Sequence, residues 1–233
     1  MSEMEENLRN VRMAIAEACK ACGRAESDVT LIAVSKTKPS SMIREAYACG
    51  VRDFGENKVQ ELCQKAEELA NLDITWHLIG HLQKNKVRKA VAVAAMIHSV
   101  DSLSLAEEIS KEAARIGKVQ DILLEVNIAE EESKFGLTAD DAPAVAASVA
   151  ALPNVRLKGL MTVAPYTPTP DDNLAVFARL RKLAVDIQAQ NIDNVSMSCL
   201  SMGMSNDFPQ AVAEGATYVR VGSLIFGERH YDI

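Results

Sequence analysis

The sequence predicts an α/β protein built as a (β/α)8 TIM-type barrel with an extra N-terminal helix, forming a single domain over residues 1–233. Short runs rich in β-branched and apolar residues recur along the chain, and segments with apolar residues at helical spacing separate them. Each such helix returns the chain to the same end of a sheet, so the strands should be parallel. Eight strands match a barrel, although a doubly wound open sheet remains an alternative, because a count does not decide closure.

The predicted strands share an apolar or β-branched composition and a short length. They lie at residues 29–35, 51–54, 75–79, 96–100, 121–126, 157–163, 195–200 and 217–221. Between them, the segment that starts at Glu56 and the segment "SLSLAEEISKEAARIG" each repeat apolar residues on one helical face. The second segment ends at Gly117, a residue typical of the position after a helix. These are expected to be the amphipathic helices that cover the barrel.

Composition limits the classes of function. The chain has 25 Lys and Arg against 32 Asp and Glu, a formal charge of −7, which disfavours a nucleic-acid or anionic-membrane surface. The start "MSEMEENLRN" has no apolar signal segment, and no apolar run approaches the roughly 20 residues that span a bilayer. Five cysteines in no disulfide spacing suit a reducing compartment. We therefore expect a cytoplasmic protein.

The pair Cys19 and Cys22 in "CKAC" could be a redox or zinc half-site, or two small apolar residues on the first helix. Leu8, Val11 and Ile15 precede them at helical spacing, which puts both thiols on the predicted buried stripe. No second CxxC completes a metal set in the sequence. The apolar interpretation is therefore favoured.

Lys36 ends the first predicted strand, in "LIAVSKTKPSS". It shares strand parity with Ile32 and Val34, so it should reach into the mouth of the barrel. Partial desolvation and a second cation, Lys38, would both favour the neutral amine that attacks carbonyls. The alternative is a lysine that extends along the surface to solvent.

Two loops at the far end of the chain indicate a phosphate site. "SCLSMGMSNDF" ends the seventh predicted strand with Ser201, Gly203 and Ser205, and "YVRVGSLIFGER" ends the eighth with Arg220, Gly222 and Ser223. Glycines let backbone N–H groups approach an anion, and in barrels the loops after strands 7 and 8 often hold phosphate. A lysine nucleophile and a phosphate site in the same barrel mouth indicate that the ligand is a phosphorylated carbonyl compound. Pyridoxal phosphate and the substrates of Schiff-base aldolases are the two candidates.

Arg220 should enter the same mouth, because it shares parity with Gly222 on the eighth strand. A permanently charged donor there would suit a pyridine nitrogen that stays unprotonated. An arginine paired with an inner carboxylate is the other interpretation.

Several segments, in order, resemble the motifs of the YggS/PROSC family, the pyridoxal phosphate homeostasis proteins. They are "LIAVSKTKP", "FGENKVQE", "WHLIGHLQKNK", "HSVDS", "SKFG", "LKGLMTVAP" and "LSMGMSNDFPQAVAEGATYVRVGSLIFG". The resemblance implies a monomeric alanine-racemase-type barrel that holds pyridoxal 5'-phosphate (PLP) as a Schiff base. Lys36 matches the Schiff-base lysine, Arg220 the arginine at the pyridine nitrogen, and Asn57 a pocket position beside the ring. The positions matched to phosphate binding are Ser201, Ser205, Gly222 and Ser223.

The family lacks the second domain that supplies alanine racemases with a catalytic tyrosine, and 233 residues leave no room for it here. The resemblance therefore implies a protein of PLP homeostasis or transfer, with apo PLP-dependent enzymes as acceptors and little catalytic activity. A PLP-dependent amino-acid racemase-like enzyme is the alternative.

Three further residues have no assigned role. His77 and His81 have a spacing that would bind zinc on a helix, but they straddle a strand end and a loop, so metal binding is not expected. His77 shares parity with Thr75 and Ile79 and could line the pocket. Lys134 follows the fifth strand and could lie at the rim, or be a solvated loop lysine.

Overall fold

In the computed structural model, which describes residues 2–131 and 135–227, eight parallel strands close into a barrel. The strands are β1 Thr30–Val34, β2 Asp53–Glu56, β3 Thr75–Leu78, β4 Met96–Val100, β5 Gln120–Glu125, β6 Val155–Met161, β7 Val195–Met204 and β8 Tyr218–Val221. Each strand pairs with the next, and β1 pairs with β8, with Ile32 opposite Arg220. The closed order confirms the predicted barrel and excludes the open sheet.

Helices alternate with the strands, as the periodicity predicts. They are α1 Glu3–Ala21, α2 Ser40–Ala48, α3 Val59–Glu68, α4 Val87–Val93, α5 Leu103–Arg115, α6 Ala142–Ala150, α7 Leu174–Gln188, α8 Phe208–Ala213 and α9 Ser223–Phe226. Gly117 follows α5 with a φ of +65°, which confirms its predicted position after the helix. The helix expected from Glu56 begins instead at Val59, because Glu56 still belongs to β2.

The seventh strand is the largest departure from prediction, since it continues to Met204 rather than ending at residue 200. Gly203 makes this possible. Its φ is +88°, and an added Cβ would lie 2.5 Å from the Cβ of Ala211 and 2.9 Å from the Cα of Phe208. Backbone without a side chain therefore keeps β7 close against α8. As a result, Ser201 lies within the strand and not in the loop after it.

The main core lies between the outer faces of the strands and the apolar stripes of the helices. Phe54 and Trp76, on neighbouring strands, pack there with ring centroids 6.0 Å apart. Helix α1 adds Leu8, Ile15 and Cys19, all buried. Cys22 is exposed and terminates α1, so its prediction as a buried stripe residue is wrong.

The barrel interior differs from this core because it is partly polar. Met96, Leu123, Met161 and Cys199 form a small apolar cluster separate from the main core. Buried His77, His98, Ser201 and Arg220 extend from the strands into the same interior. No helix within the described residues combines the length and apolar character that crossing a bilayer requires.

Candidate functional site

The carboxyl ends of β1, β7 and β8 bring the predicted site residues close together. Lys36 lies in the turn after β1 and is half-buried. An added Cβ at Gly222, directly after β8, would lie 3.4 Å from the Cβ of Val34. The backbone N–H of Gly222 donates to Oγ of Ser205, which follows β7, at 3.2 Å. A lysine, a glycine N–H and a hydroxyl therefore come from three adjacent strand ends.

The turn that carries Lys36 is fastened on both sides of the lysine. The hydroxyl of Ser35 donates to Oε1 of Glu56 at 2.7 Å, and the N–H of Thr37 donates to Oε2 of Glu61 at 2.8 Å. Thr37 has a φ of +64°, in the left-handed region that is unfavourable for a β-branched residue. The bond to Glu61 helps to hold this strained conformation, and with it the direction of Lys36.

Lys65 on α3 joins these anchors. Its Nζ donates to the carbonyl of Ser35 and to Oε1 of Glu56, each at 2.8 Å, and to Oε2 of Glu61 at 3.2 Å. The side chains of Lys65 and Glu56 are 8% and 0% exposed. Burial opposes ionisation of Glu61, but the Thr37 N–H and Lys65 outweigh it and lower the pKa of Glu61. The buried ammonium of Lys65 therefore holds the turn that carries Lys36 from the side of α3.

Lys38 donates to backbone carbonyls, and its predicted effect on the amine of Lys36 stays a prediction. Its Nζ donates to the carbonyls of Phe226 and Gly227, at 2.9 and 3.2 Å. These carbonyls end α9, where a cation is favoured. Lys38 thus ties the turn after β1 to the helix after β8.

Arg220 and Ser201 form a pair inside the barrel. Arg220 is 4% exposed; its Nη1 donates to Oγ of Ser201 at 2.7 Å and its Nη2 to the carbonyl of Thr162 at 2.8 Å. Burial lowers the pKa of Arg220 to about 10, which leaves the guanidinium charged at neutral pH. The Ser201 hydroxyl therefore holds the arginine, and its predicted contact with a cofactor stays a prediction.

The loops at the ends of β7 and β8 contain the other predicted residues. Ser205 and Gly222 are half-buried, and Ser223 is exposed at the first position of α9. Asp207 supports the loop after β7, because its Oδ1 accepts from the N–H of Met204 at 2.7 Å.

Asn57, the predicted pocket residue, is half-buried after β2. An added Cβ at Gly80, after β3, would lie 2.4 Å from the carbonyl oxygen of Asn57. The loops after β2 and β3 therefore approach each other through their backbone atoms.

The two histidines considered for zinc have different partners. His77 lies in the barrel interior, where its Nε2 lies 2.9 Å from Oδ1 of Asp53. His81 lies at the rim, with its Nδ1 3.2 Å from Oδ2 of Asp101 and its ring stacked on Phe135 at 3.8 Å. The described residues contain no group of three or more His, Cys, Asp or Glu that could hold a metal ion. Lys134 lies outside the described residues.

Glu125 is a residue of this mouth that the sequence analysis missed. It ends β5 and is 9% exposed. Burial, with the nearby negative charge of Asp101, raises its pKa to about 7, although Arg220 acts in the opposite direction. A single glutamate at a strand end gives no such signal in sequence. The mouth therefore contains a carboxyl group that titrates near neutral pH.

Comparison with known proteins gives consistent results. Residues 3–230 match the family model of the alanine racemase N-terminal domain. The pyridoxal phosphate homeostasis protein of Aquifex aeolicus is 45% identical over 226 residues, covering 97% of this chain and 98% of that one. The protein of the same description from Pseudomonas aeruginosa is 44% identical over 231 residues, 99% of this chain and 98% of that one.

Solved structures agree. PipY of Synechococcus elongatus, determined with PLP bound, is 44% identical and superposes with a TM-score of 0.81 over 91% of this chain and all of that one. Alanine racemase of Clostridium difficile is 13% identical, with a TM-score of 0.76 over 97% of this chain and 58% of that one. The second likeness concerns the fold alone.

The buried cluster behind the Lys36 turn yields a stability prediction. Lys65→Met leaves Glu56 buried without its cation, so we expect the free energy of unfolding to fall by about 3 kcal/mol. Lys111→Met is the control, because it breaks an exposed pair with Glu108 at 3.0 Å and should cost less than about 1 kcal/mol. Urea denaturation of the cofactor-free proteins measures both. Equal losses in the two variants would contradict the organising role of Lys65.

Glu125 yields a pH prediction. Its folded-state pKa of about 7 lies above that of an unfolded glutamate, so its contribution is fully present below the unfolded pKa. That contribution is lost as the pH rises through about 7. Relative to Glu125→Gln, the cofactor-free wild type should therefore lose about 3 kcal/mol of unfolding free energy between about pH 4 and 8. Parallel pH profiles of the two proteins would disprove the shift.

Proposed function

The chain belongs to the family of pyridoxal phosphate homeostasis proteins, which have the barrel of the alanine racemase N-terminal domain, and on this premise we propose that it binds PLP and acts in PLP homeostasis. The specific proposal is that Lys36 holds the cofactor as a Schiff base and releases it to apo PLP-dependent enzymes. The PLP-bound structure of the relative PipY supports the ligand.

One observation carries the proposal for the site. Ile32 and Arg220 lie opposite each other where β1 and β8 close the barrel, so Lys36 and Gly222 follow on adjacent strands. A primary amine, a guanidinium and N–H and hydroxyl donors therefore converge on one mouth. This set suits a ligand that has an aldehyde, a pyridine nitrogen and a phosphate on one ring.

Each residue then has a chemical role in the proposal. The amine of Lys36 condenses with the aldehyde and releases water, while Arg220 donates to the ring nitrogen. Asn57 lies beside the ring. The residues proposed for the phosphate are Ser205, Gly222 and Ser223. Ser201 acts on the cofactor through Arg220, because its hydroxyl accepts from the guanidinium.

Arg220 also favours a carrier over a racemase. A pyridine nitrogen that accepts a hydrogen bond from a guanidinium stays unprotonated, since the guanidinium donates and does not give up its proton at neutral pH. Such a ring withdraws electrons more weakly than one protonated by a carboxylic acid. The site is therefore better suited to holding the cofactor than to removing the α-proton of an amino acid.

The compartment and the oligomeric state also belong to the proposal. We propose that the protein acts as a cytoplasmic monomer. The five cysteines, which are all free, support a reducing compartment. Acceptor enzymes would meet the mouth at the carboxyl ends of the strands.

Cofactor binding through Lys36 is tested by colour and mass. PLP should give the wild-type protein a visible absorption band that borohydride abolishes, with the reduced cofactor fixed on the peptide containing Lys36. Lys36→Ala should lose the fixed mass and bind at least about tenfold more weakly, retaining the phosphate contacts. Lys84→Ala, at an exposed lysine, is the control and should behave like the wild type. Cofactor fixed on another lysine would refute the assignment.

Transfer is tested with a PLP-dependent apo-enzyme and a scavenger of free PLP. The loaded wild-type protein should activate the apo-enzyme, whereas the same amount of free PLP should be captured by the scavenger. In a parallel sample, L-alanine in deuterated water should take up no deuterium at the α-carbon beyond the rate with free PLP. Sustained deuterium uptake would favour the racemase-like alternative, and equal activation by protein-bound and free PLP would refute transfer.

A further inference from the structure

A continuous line of hydrogen bonds crosses the barrel interior from β2 to β8. Oδ1 of Asp53 lies 2.9 Å from Nε2 of His77, and Nδ1 of His77 lies 2.9 Å from Nε2 of His98. Nδ1 of His98 lies 2.9 Å from Oγ of Ser201, which accepts from Nη1 of Arg220 at 2.7 Å. Asp53 starts its strand at the opposite end of the barrel from the candidate site, and its side chain is 26% exposed. The line therefore joins a solvent-accessible carboxylate to the buried arginine.

The donor and acceptor capacities fix the direction of this line when both imidazoles are neutral. An ionised Asp53 only accepts, so the hydrogen of His77 is on Nε2. Nδ1 of His77 is then bare and accepts from Nε2 of His98. Nδ1 of His98 is bare in turn and accepts from the hydroxyl of Ser201, and Ser201 accepts from Arg220, which only donates. Each link thus donates toward Asp53.

Burial supports this neutral arrangement. His98 is fully buried, and its burial, with smaller contributions from His77 and Arg220, holds its pKa well below the usual range. The ring of Tyr218 lies 5.6 Å from His77 and 5.5 Å from His98, and burial raises the pKa of Tyr218 to about 12, so the phenol is neutral too. The other titratable groups that act on this interior, from β5, β7 and the loop after β7, are Asp121, Glu125, Cys199 and Asp207.

We propose that Asp53, His77, His98 and Ser201 form a proton-linked relay that positions Arg220. When the line takes up one proton, His77 becomes an imidazolium that donates both to Asp53 and to Nε2 of His98. His98 then carries its hydrogen on Nδ1 and donates to Ser201. Two links reverse, and Ser201 receives two donors where it had received one.

The reversal weakens the hold on Arg220. In the neutral state the Ser201 hydroxyl hydrogen points to His98, so the oxygen is free to accept from the guanidinium. In the protonated state the oxygen accepts from both His98 and Arg220, and the hydroxyl hydrogen loses the acceptor that His98 had supplied, so acid weakens the hold on the arginine. His77, His98 and Ser201 are positioning residues in this scheme. Its last step, from Arg220 to a pyridine nitrogen, rests on the proposed function.

The relay is tested without cofactor by nitrogen-15 NMR of the histidine rings, with signals assigned by His77→Gln and His98→Gln. At about pH 8 both rings of the wild type should carry hydrogen on Nε2 alone. On acidification, protonation of His77 should coincide with a switch of His98 to the Nδ1–H form. A His98 that holds hydrogen on Nδ1 at the higher pH, or that keeps Nε2–H after His77 is protonated, would overturn the relay.

Asp53→Ala provides a second arm, which decides the matter if His77 stays neutral throughout the folded range. Without the carboxylate of Asp53, which only accepts hydrogen bonds, nothing fixes the hydrogen of His77 on Nε2. His98 should therefore become a mixture of the Nδ1–H and Nε2–H forms. Asp193→Ala, at an exposed aspartate, is the control and should keep the wild-type forms. A change confined to His77 in Asp53→Ala would refute coupling to Ser201.

The loaded protein tests the last step separately. In Asp53→Ala the midpoint of the pH-dependent change in the visible band should shift, whereas in Asp193→Ala it should not. An unshifted midpoint would overturn transmission from Arg220 to the cofactor. Failure of the wild type to bind PLP would defeat the proposed function, while the ring tautomers of the cofactor-free protein would still decide the relay.

Discussion

The pairing of β1 with β8 is the constraint on which the candidate site depends. In an open sheet these strands would be the two edges, and Lys36 would lie far from Gly222. Closure places Ile32 beside Arg220, and adjacent strands are only about 4.8 Å apart. The seam is tight at Gly222, where an added Cβ would lie 3.3 Å from the carbonyl oxygen of Val34 and 3.4 Å from its Cβ. Lys38 then reinforces the seam through the last carbonyls of α9.

The polar barrel interior is a second consequence of closure. Barrels of this class usually fill their interior with branched apolar side chains. Here the buried guanidinium of Arg220 requires acceptors. These are the hydroxyl oxygen of Ser201 on β7 and the carbonyl of Thr162, which follows β6. Because every buried polar group needs a partner, Ser201 in turn engages His98, and His98 engages His77. The demand for hydrogen bonds thus extends from one charged residue across the barrel.

Much of the fold was predictable because its signals are local. Strand and helix periodicities depend on neighbouring residues, and parity alone indicated that Arg220 and His77 face inward. The contacts that define the site are not local. His98 and Ser201 are 103 residues apart, and nothing within "HSVDS" or "LSMGMS" reveals that they touch. The contacts of Lys38 were missed for the same reason, since its partners are the carbonyls of Phe226 and Gly227 at the end of α9. The prediction put Ser201 outside the seventh strand. The sequence does not show that Gly203 lets the strand continue, because this depends on its packing against α8.

The bond from Lys38 to Phe226 spans 188 residues, and this separation has a consequence for biosynthesis. Translation delivers the turn containing Lys36 well before the β8 seam, at roughly 5–20 residues per second. Until β8 leaves the ribosome, the turn that carries Lys36 has no closed barrel around it. Contacts of such long range also make closure a late and slow step of folding. The strand ends that flank the candidate site therefore come together only at this step.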